Sequence, residues 1–352
     1  MGKKHPTITL VHAFDAHAGA QRVAAALATI LRDRGFGMRL WLGFGDAGFV
    51  SEAWPDWRFL PTRKPVWRKL LYPFWLVAIN LAMVGALLRG DRVWANSVAA
   101  VPAAGPFLLL APKRLIIHLH EDRLPWIADR VIRWAGSRGA QLLAVSDYHA
   151  EQLGVTARVL RNAVGNGSPP PPPDNRSRLV FVGAANAKKG FPLFLSVVDQ
   201  LRGRGPSPHA FLAGGPDMPA EELIAQATAC GVSVTIGEVR SAVHHANSFL
   251  LLQLTDPALW DETFSLVAAE ALWHLVPVGG AGSSVLYEVA GGALAFNFDS
   301  RDPVSIADAI LALWGDRDRY SDLVAAADQM RPRFALDRFA NEVMAIAGGR
   351  HG

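Results

Sequence analysis

Five consecutive prolines, Pro169 to Pro173, divide this 352-residue chain into two stretches that repeat one pattern. Each side alternates short apolar runs of strand length, small or polar turns, and apolar periodicity of helical length. Proline fixes φ and offers no N–H to a ladder, so five in a row continue neither element and read as a stiff polyproline linker. Strand, turn and helix in alternation predict a parallel-sheet α/β domain on each side. The expected division is residues 1–167, a linker at 168–174, a second domain at 175–330, and a terminal helical stretch at 331–352. Pro332 breaks that stretch from the preceding helix, and its expected course is back across the first domain.

Composition narrows the classes. Hydrophobic residues make up 51% of the chain, which argues against disorder. Cys230 is alone, so neither an intramolecular disulfide nor a thiolate metal cluster is available within one chain. Up to Pro173 there are 21 Lys or Arg against 11 Asp or Glu, giving +10; from Asp174 onward 14 face 20, giving −6. The first domain is therefore the candidate for an anionic membrane surface or acceptor. Its basic residues show no aromatic-interleaved or helix-turn-helix pattern, which weighs against nucleic acid. MGKKHP runs directly into a strand-like segment, so no signal peptide is expected. Leu70 to Leu88 is uncharged over 19 residues, barely enough to cross a bilayer core. A span would separate the first strand and helix units from the rest of their sheet, so a buried or interfacial helix is the expectation, with Arg63, Lys64, Arg68 and Lys69 before it meeting lipid phosphates.

In the first domain, Thr7 to Val11 reads as a strand and about Gln21 to Arg34 as a helix, with His17, Ala18, Gly19 and Ala20 suited to a close-approach turn. The dinucleotide fingerprint GxGxxG is absent. Further strands are expected at Met38–Leu42, Arg92–Ala95, Leu115–Leu119 and Leu142–Val145. At the end of IIHLHEDRLPW's strand, His118 and His120 are expected to point to opposite faces, with His118 structural and His120 and Glu121 at the edge where chemistry is expected. Ser146 and Asp147 read as a helix cap, and Gly154 as the stop.

The second domain restarts at Leu179–Val182 and GAANAKKG, a strand followed by a loop that resembles an anion cradle, with Lys189 beside Gly190. Two more strands end at Gly214, Gly215 and Pro216 and at Gly237, Glu238 and Val239, where backbone groups can border a planar base. The densest arrangement is TDPALWDETFSLVAAEALWHLVPVGG, Thr255 to Gly280. Phe249–Leu254 reads as a buried strand, Glu262 lies in the following loop, and Glu270 lies inside an apolar helix expected from about Ser265 to Leu275. An unpaired buried carboxylate is costly, so Glu270 among Val267, Ala268, Ala269, Ala271 and Leu272 needs a purpose. Ser265 can cap the helix and leave N–H groups for an anion. Ser283 and Ser284 are expected to cap the next helix. No carboxylate pair suited to a metal is visible, and adjacent His244 and His245 point in different directions on a helix.

Taken together, ETFSLVAAE followed by EALWHLVPV, FVGAANAKKG, LAGGPD and HAGAQRV resemble the motifs of glycosyltransferase family 4, from Ile8 through the terminal helices. The resemblance implies a GT-B fold, two Rossmann-like domains whose parallel sheets face each other across a cleft. It implies retaining transfer of a sugar from a nucleotide diphosphate to an acceptor hydroxyl, with no tightly bound cofactor and no required metal. By resemblance, Glu262, His120 and Lys189 carry the chemistry: Glu262 contacts donor sugar hydroxyls, His120 touches the transferred sugar, and Lys189 neutralises the leaving diphosphate. Glu270 would bind ribose. Gly19, Gly183, Lys188, Gly214, Gly237, Val239, Phe264, Ser265 and Leu266 complete the implied donor contacts.

The chain departs from that pattern in three places. Gly183 is followed by Ala184 where the family often has arginine, a contact that Lys188 could supply. Ser265 stands where glycine is common, and its side chain is expected to narrow the phosphate pocket. Ala20 follows Gly19 where a second small, flexible residue would be familiar. The expected acceptor is a glycan, glycolipid or polyprenyl-linked molecule in cell-surface polysaccharide or lipopolysaccharide biosynthesis, handled in the cytoplasm and at the inner face of the plasma membrane. The alternatives are transfer to a small soluble acceptor and a catalytically weak sugar-nucleotide-binding or scaffold protein.

Overall fold

A computed structural model of the chain describes residues 7–16, 19–45, 48–53, 65–165, 175–212, 220–237 and 247–349. The proline linker, Gly214, Val239 and the His244 and His245 pair lie outside them, as do the side chains of Arg68 and Lys69. The chain divides into two compact units, Met1–Asn162 with Asp337–Gly352, and Ala163–Leu336.

The first unit is built on β1 (Thr7–Asp15), β2 (Gly37–Gly45), β3 (Arg92–Asn96), β4 (Leu115–His118), β5 (Gln141–Ala144) and β6 (Arg158–Val159), all parallel, in the order β2-β1-β3-β4-β5-β6. Helices cover a parallel sheet on both faces, so its strands are apolar almost throughout: β1 buries Ile8, Leu10, Val11 and Ala13 completely. The Gly19–Asp33 helix turns Val23, Ala24, Leu27, Ala28, Ile30 and Leu31 inward at helical spacing.

The long Pro65–Leu88 helix is neither a buried core helix nor amphipathic. Trp75, Ile79, Met83 and Ala86 are buried, and Trp75 Nε1 donates to Leu42 O at 3.3 Å. Leu70, Phe74, Val77, Leu81, Val84 and Leu88 are exposed, so the face turned away from the core is apolar too. A wholly buried helix is thereby excluded. The Leu336–Ala347 helix belongs to this first unit: Arg92 Nη1 donates to Ile346 O at 3.0 Å and Ala347 O at 2.7 Å, satisfying carbonyls at its C-terminus.

The second unit carries β7 (Arg178–Gly183), β8 (Ser207–Leu212), β9 (Ser233–Ile236), β10 (Ser248–Gln253), β11 (Val278–Ala281) and β12 (Leu294–Phe298), parallel, in the order β12-β11-β10-β7-β8-β9. From β7 the sheet grows toward β8 and β9, and from β10 it grows the other way. Connections therefore diverge at the carboxyl ends of β7 and β10, the switch point at which open α/β sheets leave a crevice. The first unit has the equivalent point between β1 and β3.

Several local expectations shift. The helix after β10 is Leu266–Trp273, shorter than the apolar run because Leu275 takes a positive φ of 59° and ends it. Ser284 occupies the N-cap position of Val285–Ala290 without a side-chain capping bond. Its φ of −65° and ψ of −35° are already helical, whereas a capping side chain needs an extended backbone. Ser146, at φ −155°, is extended and does cap, accepting from His149 N at 2.9 Å.

Candidate functional site

In the second unit the site grows from the carboxyl ends of β7 and β10. The loop after β7 folds on itself: Asn186 Oδ1 accepts from Lys189 N at 2.9 Å, and Gly190 N donates to Ala187 O at 3.0 Å. Gly190 then opens the Phe191–Leu201 helix at φ 79°. A Cβ there would lie 1.9 Å from Leu254 O, so only glycine lets this loop close on the end of β10. Lys189 is thereby aimed at the loop that carries Glu262.

Glu262 is the centre of the arrangement. Its Oε1 accepts from Lys189 Nζ at 2.6 Å and from Thr255 Oγ1 at 2.8 Å, and its Oε2 accepts from Gln253 Nε2 at 2.6 Å. The carboxylate is largely covered while the lysine is about one-third exposed. Gln253 Oε1 in turn accepts from Ser265 Oγ, and Ser265 Oγ accepts from Ala268 N at 3.1 Å, capping the Leu266–Trp273 helix. Ser265 is buried, and its hydroxyl is engaged between Gln253 and the helix start. Glu270, in the same helix, is buried as the apolar run around it requires.

The structure brings Lys189, Glu262 and Ser265 into one connected network. Other candidates have other surroundings. Lys188 Nζ sits 3.6 Å from the centroid of the Trp260 ring, a cation–π contact, while its carbonyl accepts from Asp256 N at 2.9 Å. Phe264 packs edge-on against Phe334 with ring centroids 6.3 Å apart. Gly183 ends β7, and Gly237 follows β9 at φ 120°, both at the same carboxyl edge of the sheet. Leu266 supplies a first-turn N–H of the helix.

Sequence reasoning missed Gln253, Thr255 and Arg301. Gln253 and Thr255 carried a readable signal, polar residues ending the otherwise apolar strand SFLLLQ and opening its loop. Arg301 carried none. From beyond β12 it donates to Leu254 O at 2.9 Å, Thr255 O at 3.2 Å and Ala281 O at 3.4 Å, with Asp256 at 3.7 Å, and so pins the ends of β10 and β11.

The first unit's carboxyl edge is built from histidines. His12, Asn96 and His118 are in register across β1, β3 and β4 and share one face of the sheet. Asn96 Nδ2 donates to Ala20 O at 3.1 Å, which fixes Oδ1 as the acceptor for His120 Nε2 at 3.1 Å. Gly19 opens the helix whose first turn Ala20 joins, so this turn and His120 meet through Asn96. The expectation that His118 and His120 face opposite ways fails: their rings are 4.2 Å apart. Residues two apart along a strand share a face, so the pleat itself brings the two rings together, and the His120 N–H turns to the Glu121 carboxylate at 3.1 Å just beyond the strand's end at His118. Glu121 uses both oxygens on Val98 N, at 3.1 Å each, and has a structural part at this edge.

Burial holds these histidines neutral. It pushes His118 down to about 3, with His149 adding to the effect, and His120 well below the usual histidine value, with His118, His12 and His149 adding theirs. His12 and His149 are lowered by the same cause. Both ring nitrogens of His118, Nε2 of His12 and Nε1 of Trp94 lack a hydrogen-bond partner among the described residues. Among those residues no group of three or more His, Cys, Asp or Glu is arranged to hold a metal.

No family model and no curated protein matches the chain. Solved structures do. The chain is similar to HepE from Anabaena, solved in complex with UDP-glucose, at 17% identity and a TM-score of 0.71, covering 97% of this chain and 99% of that one. The fold is GT-B. Sucrose-phosphate synthase from Thermosynechococcus elongatus aligns at 13% identity and a TM-score of 0.74, over 97% and 98% of the two chains. WaaG, a glycosyltransferase of lipopolysaccharide biosynthesis, aligns at 13% identity and 0.66, over 97% and 100%. At such identities the GT-B likeness establishes architecture, two parallel-sheet α/β domains, and leaves activity to the residues.

Proposed function

We propose that this protein transfers a sugar from a nucleotide-diphosphate donor to an acceptor hydroxyl with retention at the anomeric carbon. The observation that carries the reading is the Lys189–Glu262 pair at the β7/β10 switch point, linked through Gln253 to the cap of the Leu266–Trp273 helix. A cation, a carboxylate and a helix start beside one another suit a ligand with both an anionic and a hydroxylated part. Lys189 Nζ and the first-turn N–H groups, including that of Leu266, stabilise the negative charge that grows on the departing diphosphate. Glu262 accepts a hydrogen bond from a donor sugar hydroxyl and Glu270 from ribose, while Gly183 and Gly237 border the nucleotide. His120, kept neutral by burial, contacts the transferred sugar, and Gly19 lets the ligand approach the backbone.

The bond from the anomeric carbon to the phosphate oxygen breaks as the bond to the acceptor oxygen forms on the same face. The acceptor proton passes to the departing phosphate oxygen, so no residue of the chain need act as a base. Glu262 and Glu270 have different duties here, unlike the carboxylate pair of a glycosidase, which flanks one bond.

The test is a thermal-shift and turnover panel of UDP, GDP, ADP and dTDP sugars. One nucleotide should stabilise the protein and its sugar should appear in product with retained configuration. Inverted product would reject the mechanism, and tight nucleotide binding without turnover over an acceptor panel would favour a binding or scaffold protein.

For the acceptor, the reading is a lipid-linked glycan or glycolipid met at an anionic membrane surface, in cell-surface polysaccharide synthesis at the inner face of the plasma membrane. Its support is the exposed apolar stripe from Leu70 to Leu88 together with the +10 balance of the first 173 residues. A charge placed on that stripe, Phe74→Glu with Leu81→Glu, should abolish flotation with anionic vesicles and leave donor hydrolysis unchanged; flotation equal to wild type would sink the membrane reading.

A further inference from the structure

We propose that Gln253 and Ser265 are positioning residues for Glu262, forming with it a directed chain that ties the sugar-facing carboxylate to the capped helix. The proposal rests on the transferase reading for what Glu262 does.

The direction of each bond follows from chemistry. Ala268 N–H can only donate, so Ser265 Oγ accepts there, at 3.1 Å, and its own hydrogen goes to Gln253 Oε1. That contact orients the amide: Oε1 toward Ser265 and Nε2 toward Glu262 Oε2 at 2.6 Å. Flipped, the amide would set its carbonyl against a carboxylate. All the intermediates are buried, Gln253 at 7% exposure, Ser265 at 2% and Thr255 at 4%, so bulk water offers little substitute for these bonds.

The consequence appears when donor binds. Lys189 Nζ is on Glu262 Oε1, but a diphosphate competes for that cation. Gln253 on Oε2 and Thr255 on Oε1 then still hold both oxygens, so the carboxylate keeps its plane while Lys189 is drawn to the anion. Ser265, which departs from the glycine that the sequence resemblance would supply, is what orients Gln253 for this purpose. A helix cap is thereby converted into one end of the site's support.

The experiment uses the full chain and the best donor from the nucleotide-sugar panel. Gln253→Leu should lower kcat by about 10- to 100-fold with donor KM changed less than about threefold, the signature of an interaction realised in the transition state. Ser265→Ala should lower kcat by about 3- to 10-fold, and the double variant should be no slower than Gln253→Leu, because both act through one chain. In a Glu262→Gln background, Gln253→Leu should add less than about twofold. Losses that multiply in either background, or a rise confined to donor KM, would overturn the proposal. A crystal structure of Gln253→Leu supplies a readout apart from activity: Glu262 should rotate away from its present orientation. An unmoved carboxylate would refute the positioning role even if the wild-type protein transferred sugar efficiently. Absence of transfer by the wild-type protein would instead count against the transferase reading.

Discussion

The two carboxyl edges are chemically unlike. In the second unit the switch point holds formal charge, Lys189 against Glu262, braced by Gln253, Thr255 and Arg301. In the first unit the corresponding point holds an amide and histidines that burial keeps neutral, with Asn96 joining His120 to the Ala20 carbonyl. One sheet topology therefore presents two chemistries, suited under the proposed function to different parts of the donor. A charged edge can neutralise a diphosphate, while a neutral, hydrogen-bonding edge can read hydroxyl groups without the desolvation cost of a second charge.

The sharpest way to break this contrast is to replace a key side chain at each edge in turn. Lys189→Met or Glu262→Gln should reduce turnover by about 10²–10³-fold, against roughly tenfold for His120→Asn. Equal losses at the two edges, measured as kcat/KM on the best donor, would erase the distinction.

The next effect concerns the backbone that presents the charges. Gly190→Ala forces a Cβ against Leu254 O in a left-handed conformation and should destabilise the protein by roughly 2–4 kcal/mol by denaturant unfolding. A change below about 0.5 kcal/mol would mean that the loop can stand away from β10 without loss.

Acid should discriminate the edges in stability. His118, His120, His12 and His149 have folded-state values below 6.5, so between those values and 6.5 the unfolded chain binds more protons than the folded one. Stability should be intact above about pH 6.5 and fall as the pH drops, for His118 down to about pH 3. Each such histidine can contribute up to about 1.4 kcal/mol per pH unit in its window. His118→Leu should flatten the slope between pH 6 and 4, as seen by urea titration at each pH; an unchanged slope would remove His118 from the account. The smallest expected effect is Arg301→Met, about 1–2 kcal/mol of stability with turnover reduced about tenfold, because three carbonyls lose a charged donor. Loss of stability without loss of turnover would leave Arg301 a purely structural residue.

Much of the second unit's site was legible from local pattern. A buried strand, a loop with Glu262, an N-cap at Ser265 and an apolar helix with Glu270 inside it are all short-range features, and each formed close to its expected place. The contact between Lys189 and Glu262, 73 residues apart, was not legible, because it depends on β7 and β10 being neighbours. Arg301 was invisible for the same reason. In the first unit the opposite-face expectation for His118 and His120 was wrong, because residues two apart along a strand share a face.

The sequence by itself determined the α/β alternation and which polar residues fall at strand ends. These follow from side-chain periodicity and backbone stereochemistry over a few residues, which any segment expresses alone. Tertiary structure decided which strand ends became neighbours, which oxygen of Glu262 met Lys189, and which histidines lost water. Those outcomes depend on sheet order and burial, properties of the folded chain as a whole.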